Sequence, residues 1–259
     1  MAKILEVDGL SKRFGGLLAV NKVSFEVEAG EILSVIGPNG AGKSTLFKLI
    51  ASFLKPTEGE VRFKGERISN LAPHIVARKG VVRTFQETTI FKQMSVKDNV
   101  IIAHHLRSKA GLWGYFWASA AARQDLSSFA ASADEILKLL NLYALRHEQA
   151  SNLPHGHLRA LGMAIGLATN PALILLDEPF AGMNHDETMK AVEMVRGVRD
   201  RGVTVLLVEH DMQAVMKISD RIVVLNFGEK IAEGSPQEIQ ENDKVIEAYL
   251  GIEDEAIGL

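Results

Sequence analysis

The stretch Gly37-Pro38-Asn39-Gly40-Ala41-Gly42-Lys43-Ser44-Thr45 constrains the rest of the chain. An apolar run before it, Ile32-Leu33-Ser34-Val35-Ile36, reads as a buried strand, and Leu46-Phe47-Lys48-Leu49-Ile50 after it has helical periodicity. Strand, glycine-rich turn and helix together are the setting in which such a pattern forms a phosphate loop. Glycines let the backbone curl so that successive N–H groups point at one anion, and the helix adds its positive end. In that geometry Lys43 reaches the β- and γ-phosphates of a nucleotide, and the Ser44 hydroxyl takes a Mg²⁺ coordination position.

Composition narrows the rest. At 259 residues and 47% hydrophobic content the chain fills a sizeable core, in one large or two small domains. Lys plus Arg total 29 against 32 for Asp plus Glu, a net charge of −3, so no overall electrostatic case exists for nucleic-acid binding. The absence of cysteine excludes disulfides, thiolate zinc sites and cysteine nucleophiles, and fits a reducing compartment. The N-terminus meets Glu6 at once and reads as a strand, not a secretory signal. The most apolar region, 161–176, is interrupted by Asn170-Pro171 and is too short to span a bilayer. Work at a membrane therefore calls for another polypeptide to hold this one there.

Segments 4–7 and 23–27 read as half-buried antiparallel strands, separated by a turn region that carries Phe14. Further strands are expected at 60–63, 81–86, 173–178 and 203–210, a closing hairpin at 220–226 and 229–234, and helices at 188–198 and 236–250. Residues 87–166 change character and read as a mostly helical insertion, with helical spacing at 96–106 and 134–142. Inside it Trp113, Tyr115, Phe116 and Trp117 form either a docking surface for a membrane partner or local core. Apolar strands alternating with helices imply a parallel sheet covered on both faces.

In such sheets chemistry gathers at the carboxyl ends of the strands. Four apolar strands here end in the phosphate loop, in Gln86, in Asp177-Glu178 and in His210. Asp177 suits Mg²⁺ beside Ser44, with Gln86 placed to report the metal and attacking water. Glu178 suits polarisation of a water for in-line attack on a γ-phosphate, and His210 suits a hydrogen bond to that phosphate. Phe14 suits stacking on an adenine ring.

Residues 37–45, Gln86, Leu153-Pro154-His155-Gly156-His157, 173–178 and His210, in this order and spacing, resemble the ATP-binding subunits of ABC transporters over essentially the whole chain. The segments 13–20, Arg83-Thr84-Phe85-Gln86, Ala181-Gly182-Met183-Asn184, Val208-Glu209-His210-Asp211-Met212 and 245–251 narrow the resemblance to the ATPases of bacterial branched-chain amino-acid importers. The resemblance implies an α/β fold: a P-loop NTPase core with a mixed or parallel sheet, an N-terminal antiparallel β subdomain and the helical insertion, all within one domain of 1–259. It implies ATP and Mg²⁺, with Phe14 on the adenine, Gln86 in the loop that senses a transmembrane partner, Glu178 as base and His210 as switch histidine. Two ATPase subunits would sandwich two ATP molecules, each between one phosphate loop and the other subunit's signature loop. Two transmembrane permease subunits would hold the pair at the cytoplasmic face of the inner membrane.

Two positions depart from the broad family. Its usual signature, Leu-Ser-Gly-Gly-Gln, is replaced by Leu153-Pro154-His155-Gly156-His157. Pro154 offers neither hydroxyl nor N–H. The N–H groups of His155 and Gly156 remain, and His155 or His157 is a candidate replacement donor. Asn184 stands where the family usually has Asp in the loop that meets the other ATPase subunit. Both departures weigh against an independently active homodimer and fit a heterodimer in which a second, different ATPase completes each site, a second copy of this chain (homodimer) being the alternative partner. The rival reading, a soluble ABC ATPase acting on DNA or ribosomes, would call for coiled-coil arms or a second cassette, neither of which this sequence contains.

Overall fold

The computed structural model describes residues 2–84, 90–104 and 120–249. Among the described residues ten strands form two sheets. Strands β1 (Lys3–Phe14), β2 (Leu17–Glu28), β4 (Glu58–Phe63) and β5 (Glu66–Arg67) make an antiparallel sheet in the order β2-β1-β4-β5. Strands β3 (Ile32–Ile36), β6 (Val81–Arg83), β7 (Leu173–Asp177), β8 (Thr204–Val208), β9 (Arg221–Asn226) and β10 (Glu229–Gly234) make the second, in the order β10-β9-β3-β8-β7-β6. All pairings in that sheet are parallel except the β9–β10 hairpin.

The described helices include α1 (Lys43–Ile50), α2 (Pro73–Lys79), α3 (Val96–Ala103), α4 (Ala120–Leu139), α5 (His155–Ala168), α6 (His185–Asp200), α7 (Met212–Ile218) and α8 (Pro236–Gln240). Alternate residues of each parallel strand face opposite layers, as the pleat requires. Leu33, Val35, Leu173, Leu175, Leu206 and Val208 join one core with the α1 residues Leu46, Phe47 and Leu49 and with Leu5, Val7 and Phe63 of the antiparallel sheet. Ile32, Ile174, Leu176, Val205 and Leu207 join the other, with Val100, Leu137, Leu161, Val192 and Ala214 from the helices. The expected parallel sheet covered on both faces is therefore present, and the helical region shares its core with the sheet.

Several boundaries differ from the sequence reading. The first two strands run to twelve residues each and carry Phe14 inside β1, because only Gly15-Gly16 make the turn. Val81–Arg83 is a three-residue edge strand. Strand β5 and helix α2 had no expectation, both being too short for a periodicity signal. The terminal helix expected at 236–250 is broken: α8 stops at Gln240 and helix resumes at 243–249. Asn242 causes the break, its side chain accepting from the N–H groups of Lys244 (3.0 Å) and Val245 (3.4 Å) as a new cap. Gln86 and the cluster of Trp113, Tyr115, Phe116 and Trp117 lie outside the described residues.

Candidate nucleotide-binding site

Register brings the chemistry together. Val35 of β3 pairs with Val208 of β8, and Val208 pairs with Asp177 of β7. Adjacent strands sit about 4.8 Å apart, so the loops that follow these residues emerge side by side at one sheet edge. Those loops are 37–42, the turn at Glu178 and the pair Glu209-His210; Thr84, after β6, bonds to Leu175 one strand further along.

The phosphate loop needs its glycines for space. A Cβ on Gly37 (φ +147) would sit 2.0 Å from the Leu225 carbonyl oxygen, and one on Gly42 (φ +100) 2.4 Å from that of Ala19. Gly42 caps α1, and Leu46 is the first residue to bond back into the helix, to Gly42 at 2.9 Å. The N–H groups of Lys43, Ser44 and Thr45 are thus left at the open end, where an anion is favoured. Asn39 and Gly40 are exposed on the loop, and Pro38 accepts at its carbonyl from Ala41 N–H at 3.1 Å.

Lys43 is buried and donates to the carbonyl oxygens of Gly37 (2.6 Å) and Pro38 (2.9 Å). Burial pulls its pKa below the usual lysine range, and the nearby Glu178 and Asp177 carboxylates pull it partly back. The phosphate-loop cation, Asp177 at the end of β7 and Glu178 just after it therefore share one electrostatic site. Ser44, in the first turn of α1, and Asp177 supply the hard oxygen donors that suit Mg²⁺. Phe14 is 45% exposed at the end of β1, with the Lys12 ammonium 5.2 Å from its ring centroid.

Glu178 sits in a left-handed conformation, φ +49, uncommon for a side-chain-bearing residue. Its N–H donates to Val208 O (2.9 Å), and its carbonyl accepts from Arg159 Nη1 (2.8 Å) on α5. His210, one residue past the buried Glu209, projects a side chain that is 59% exposed.

The signature-like loop is built differently. Leu153 is buried in the helical core, and Pro154 (φ −58, ψ 156) caps α5 without a side-chain hydrogen bond. His155 and His157 occupy the first turn of α5, two residues and hence about 200° apart around the helix, so they do not converge on one metal. Among the described residues no group of three or more His, Asp or Glu side chains is arranged to hold a metal ion. Gly156 lies beside the loop 181–184: a Cβ there would be 3.8 Å from Met183 Cε. Asn184 caps α6 in a reciprocal box, its side chain accepting from Glu187 N–H and Glu187 accepting from Asn184 N–H, both at 3.0 Å.

Three residues at the site were missed by sequence reasoning. Arg83 pairs with Asp177, Arg159 holds the Glu178 carbonyl, and Glu209 receives backbone N–H groups from two loops. Glu209 carried one signal, an acid at the end of an otherwise apolar strand. Arg83 and Arg159 carried none, because their partners lie 94 and 19 residues away.

A mostly parallel sheet with a phosphate loop after a central strand and an Asp-Glu pair at the end of the second strand along defines a P-loop nucleotide-binding fold. The chain matches the ABC transporter family over residues 20–181 and belongs to it, and the activity of that family is ATP hydrolysis coupled to transport. More narrowly, residues 229–255 match the family described as branched-chain amino acid ATP-binding cassette transporter. The chain is 44% identical over 249 residues to the high-affinity branched-chain amino acid transport ATP-binding protein BraF of Pseudomonas aeruginosa, covering 96% of this chain and 98% of that one. It is 43% identical to LivG, of the same description, from Escherichia coli K12, with the same coverage. In structure it is similar to the ADP conformation of MJ1267, an ATP-binding cassette of an ABC transporter, with a TM-score of 0.83 and 31% identity over 97% of this chain and 100% of the other.

Proposed function

We propose that this chain is the ATP-hydrolysing subunit of a bacterial importer for branched-chain amino acids or similar small polar solutes. The observation that carries the reading is the register that sets the phosphate loop after β3, Asp177-Glu178 after β7 and His210 after β8 side by side at one edge of the sheet. The amino-acid cargo is supported by the relatives alone, since no residue of this chain would touch it.

ATP stacks its adenine on Phe14 and lays its phosphates over residues 37–45. Lys43 exchanges its bonds to the Gly37 and Pro38 carbonyls for the β- and γ-phosphates. Ser44 and Asp177 would hold Mg²⁺, which when bound would supply charge neutralisation at the phosphates. Glu178 takes the proton of the attacking water, and His210 hydrogen-bonds the γ-phosphate. The second ATPase subunit, a different chain or a copy of this one, closes the site with its signature loop, and residues 153–157 and Asn184 of this chain serve the partner's site. Losing the usual serine contact at Pro154 removes on the order of 2–4 kcal/mol of transition-state stabilisation unless His155 or His157 replaces it.

ATP closes the pair and hydrolysis releases it. Closure moves the two permease subunits because they interact differently with the two states. Gln86 and the helical lobe of about 87–166 carry that motion. The permeases supply the attachment at the cytoplasmic face; no helix among the described residues is long and apolar enough to cross a membrane.

The test is to isolate the tagged chain from gently solubilised native membranes and identify its companions. Two polytopic membrane proteins and an ATPase partner are expected. Recovery with nucleic-acid or ribosomal proteins instead sinks the transporter reading. In the isolated complex Glu178→Gln is expected to cut phosphate release by about 10²-fold or more while ATP still binds.

A further inference from the structure

Glu209 directly follows β8 and is only 1% exposed. A buried carboxylate costs free energy unless its oxygens are occupied. Here Oε1 accepts from Phe180 N–H at 2.7 Å and Oε2 from His210 N–H at 3.0 Å, and the Asp211 N–H also faces the carboxylate. Those donors belong to two different loops. Phe180 sits in the turn that opens at Glu178, where Ala181 N–H closes back on the Glu178 carbonyl at 3.3 Å. His210 and Asp211 begin the loop that leads to α7, which Asp211 itself caps through Gln213 and Ala214 N–H.

We infer that Glu209 is a positioning residue that yokes the Glu178 turn to the His210 loop, so that proposed base and phosphate-sensing histidine hold one relative geometry. The inference rests on the roles proposed for those two residues. Three backbone contacts favour a carboxylate for a physical reason. Its two oxygens carry about four lone-pair directions, whereas an amide offers one oxygen and turns an N–H₂ toward a donor, and a hydroxyl is too short to reach both loops. The left-handed φ of Glu178, which a side-chain-bearing residue seldom adopts, is held by contacts on every side. Its N–H is fixed by Val208, its carbonyl by Arg159 and the turn after it by Glu209. Val208 and Glu209 are consecutive, so one strand end fixes the turn on both sides.

The experiment measures ATP turnover, fluorescent-ADP binding and thermal melting for Glu209→Gln and Glu209→Ala in the assembled transporter, with Glu178→Gln as reference. The expected result for Glu209→Gln is a kcat lower by roughly 10- to 100-fold, with KM for ATP and ADP affinity within about 2-fold of wild type and a melting midpoint no lower than that of wild type. Glu209→Ala is expected to lose at least as much kcat. A kcat within about 2-fold of wild type for Glu209→Gln overturns the inference, as does a kcat loss matched by lost ADP binding and a lower melting midpoint, which marks a structural role only. If Glu178→Gln keeps full turnover, the reading of Glu178 itself fails, whatever the Glu209 variants do.

Discussion

The Arg83 guanidinium sits 2.5 Å from the Asp177 carboxylate, in a pair whose side chains are only 11% and 16% exposed. Both residues end parallel strands that are neighbours in the sheet. Asp177 is also the acid proposed for Mg²⁺, so arginine and metal compete for one carboxylate. Removing one member of a buried pair leaves an uncompensated charge, and Arg83→Ala is expected to destabilise the protein by on the order of 3 kcal/mol. Mg²⁺ with ADP should return part of that loss, because the cation then neutralises Asp177. Urea melts with and without Mg²⁺-ADP check both statements; an equal deficit in the two conditions separates Asp177 from the metal.

Gly42→Ala places a Cβ 2.4 Å from a backbone oxygen that cannot retreat without moving β2, at a φ of +100 that side chains rarely adopt. The variant should lose nucleotide affinity by more than 10-fold and stability by about 1 kcal/mol or more. Fluorescent-ADP titration and a thermal melt read the two losses separately.

Pro154 caps α5 with no side-chain acceptor for the free N–H groups behind it. Ser in that position, at similar backbone angles, would cap the helix and is expected to add about 0.5–1 kcal/mol of stability. The same hydroxyl would restore the contact proposed as missing toward the partner's γ-phosphate. Pro154→Ser should therefore raise both the melting midpoint and the ATP turnover of the assembled complex. A gain in melting alone would mean that His155 or His157 already fills the role.

Burial raises the Glu209 carboxyl above its ordinary 4.5, against the pull of the Phe180, His210 and Asp211 N–H groups and the charge of His210. The folded chain thus holds this proton more tightly than the unfolded one. The contribution of that proton to stability is complete below the unfolded value and is lost as pH rises through the folded one. Wild type should lose stability relative to Glu209→Gln over that window. Denaturant melts of both proteins from about pH 4 to 8 test the sign; a difference that grows in the opposite direction contradicts it.

Periodicity and motif spacing in the sequence determined the phosphate loop, the apolar strands and the polar residues that end them. These features are local: a glycine-rich turn between a strand and a helix needs no distant partner to be recognised, and apolar alternation follows from the pleat itself. The sequence also exposed Pro154 and Asn184 as departures from the family. Tertiary structure alone decided that Asn184 is occupied as a helix cap, that the last helix breaks at Asn242, and that His155 and His157 diverge. It alone joined Arg83 to Asp177, Arg159 to the Glu178 carbonyl and Glu209 to Phe180. The reason is that each of these last three is a contact across strands or layers, where a backbone N–H or C=O is often one partner. Backbone groups are the same at every residue, so nothing in the side-chain sequence announces where a distant arginine or glutamate will find one.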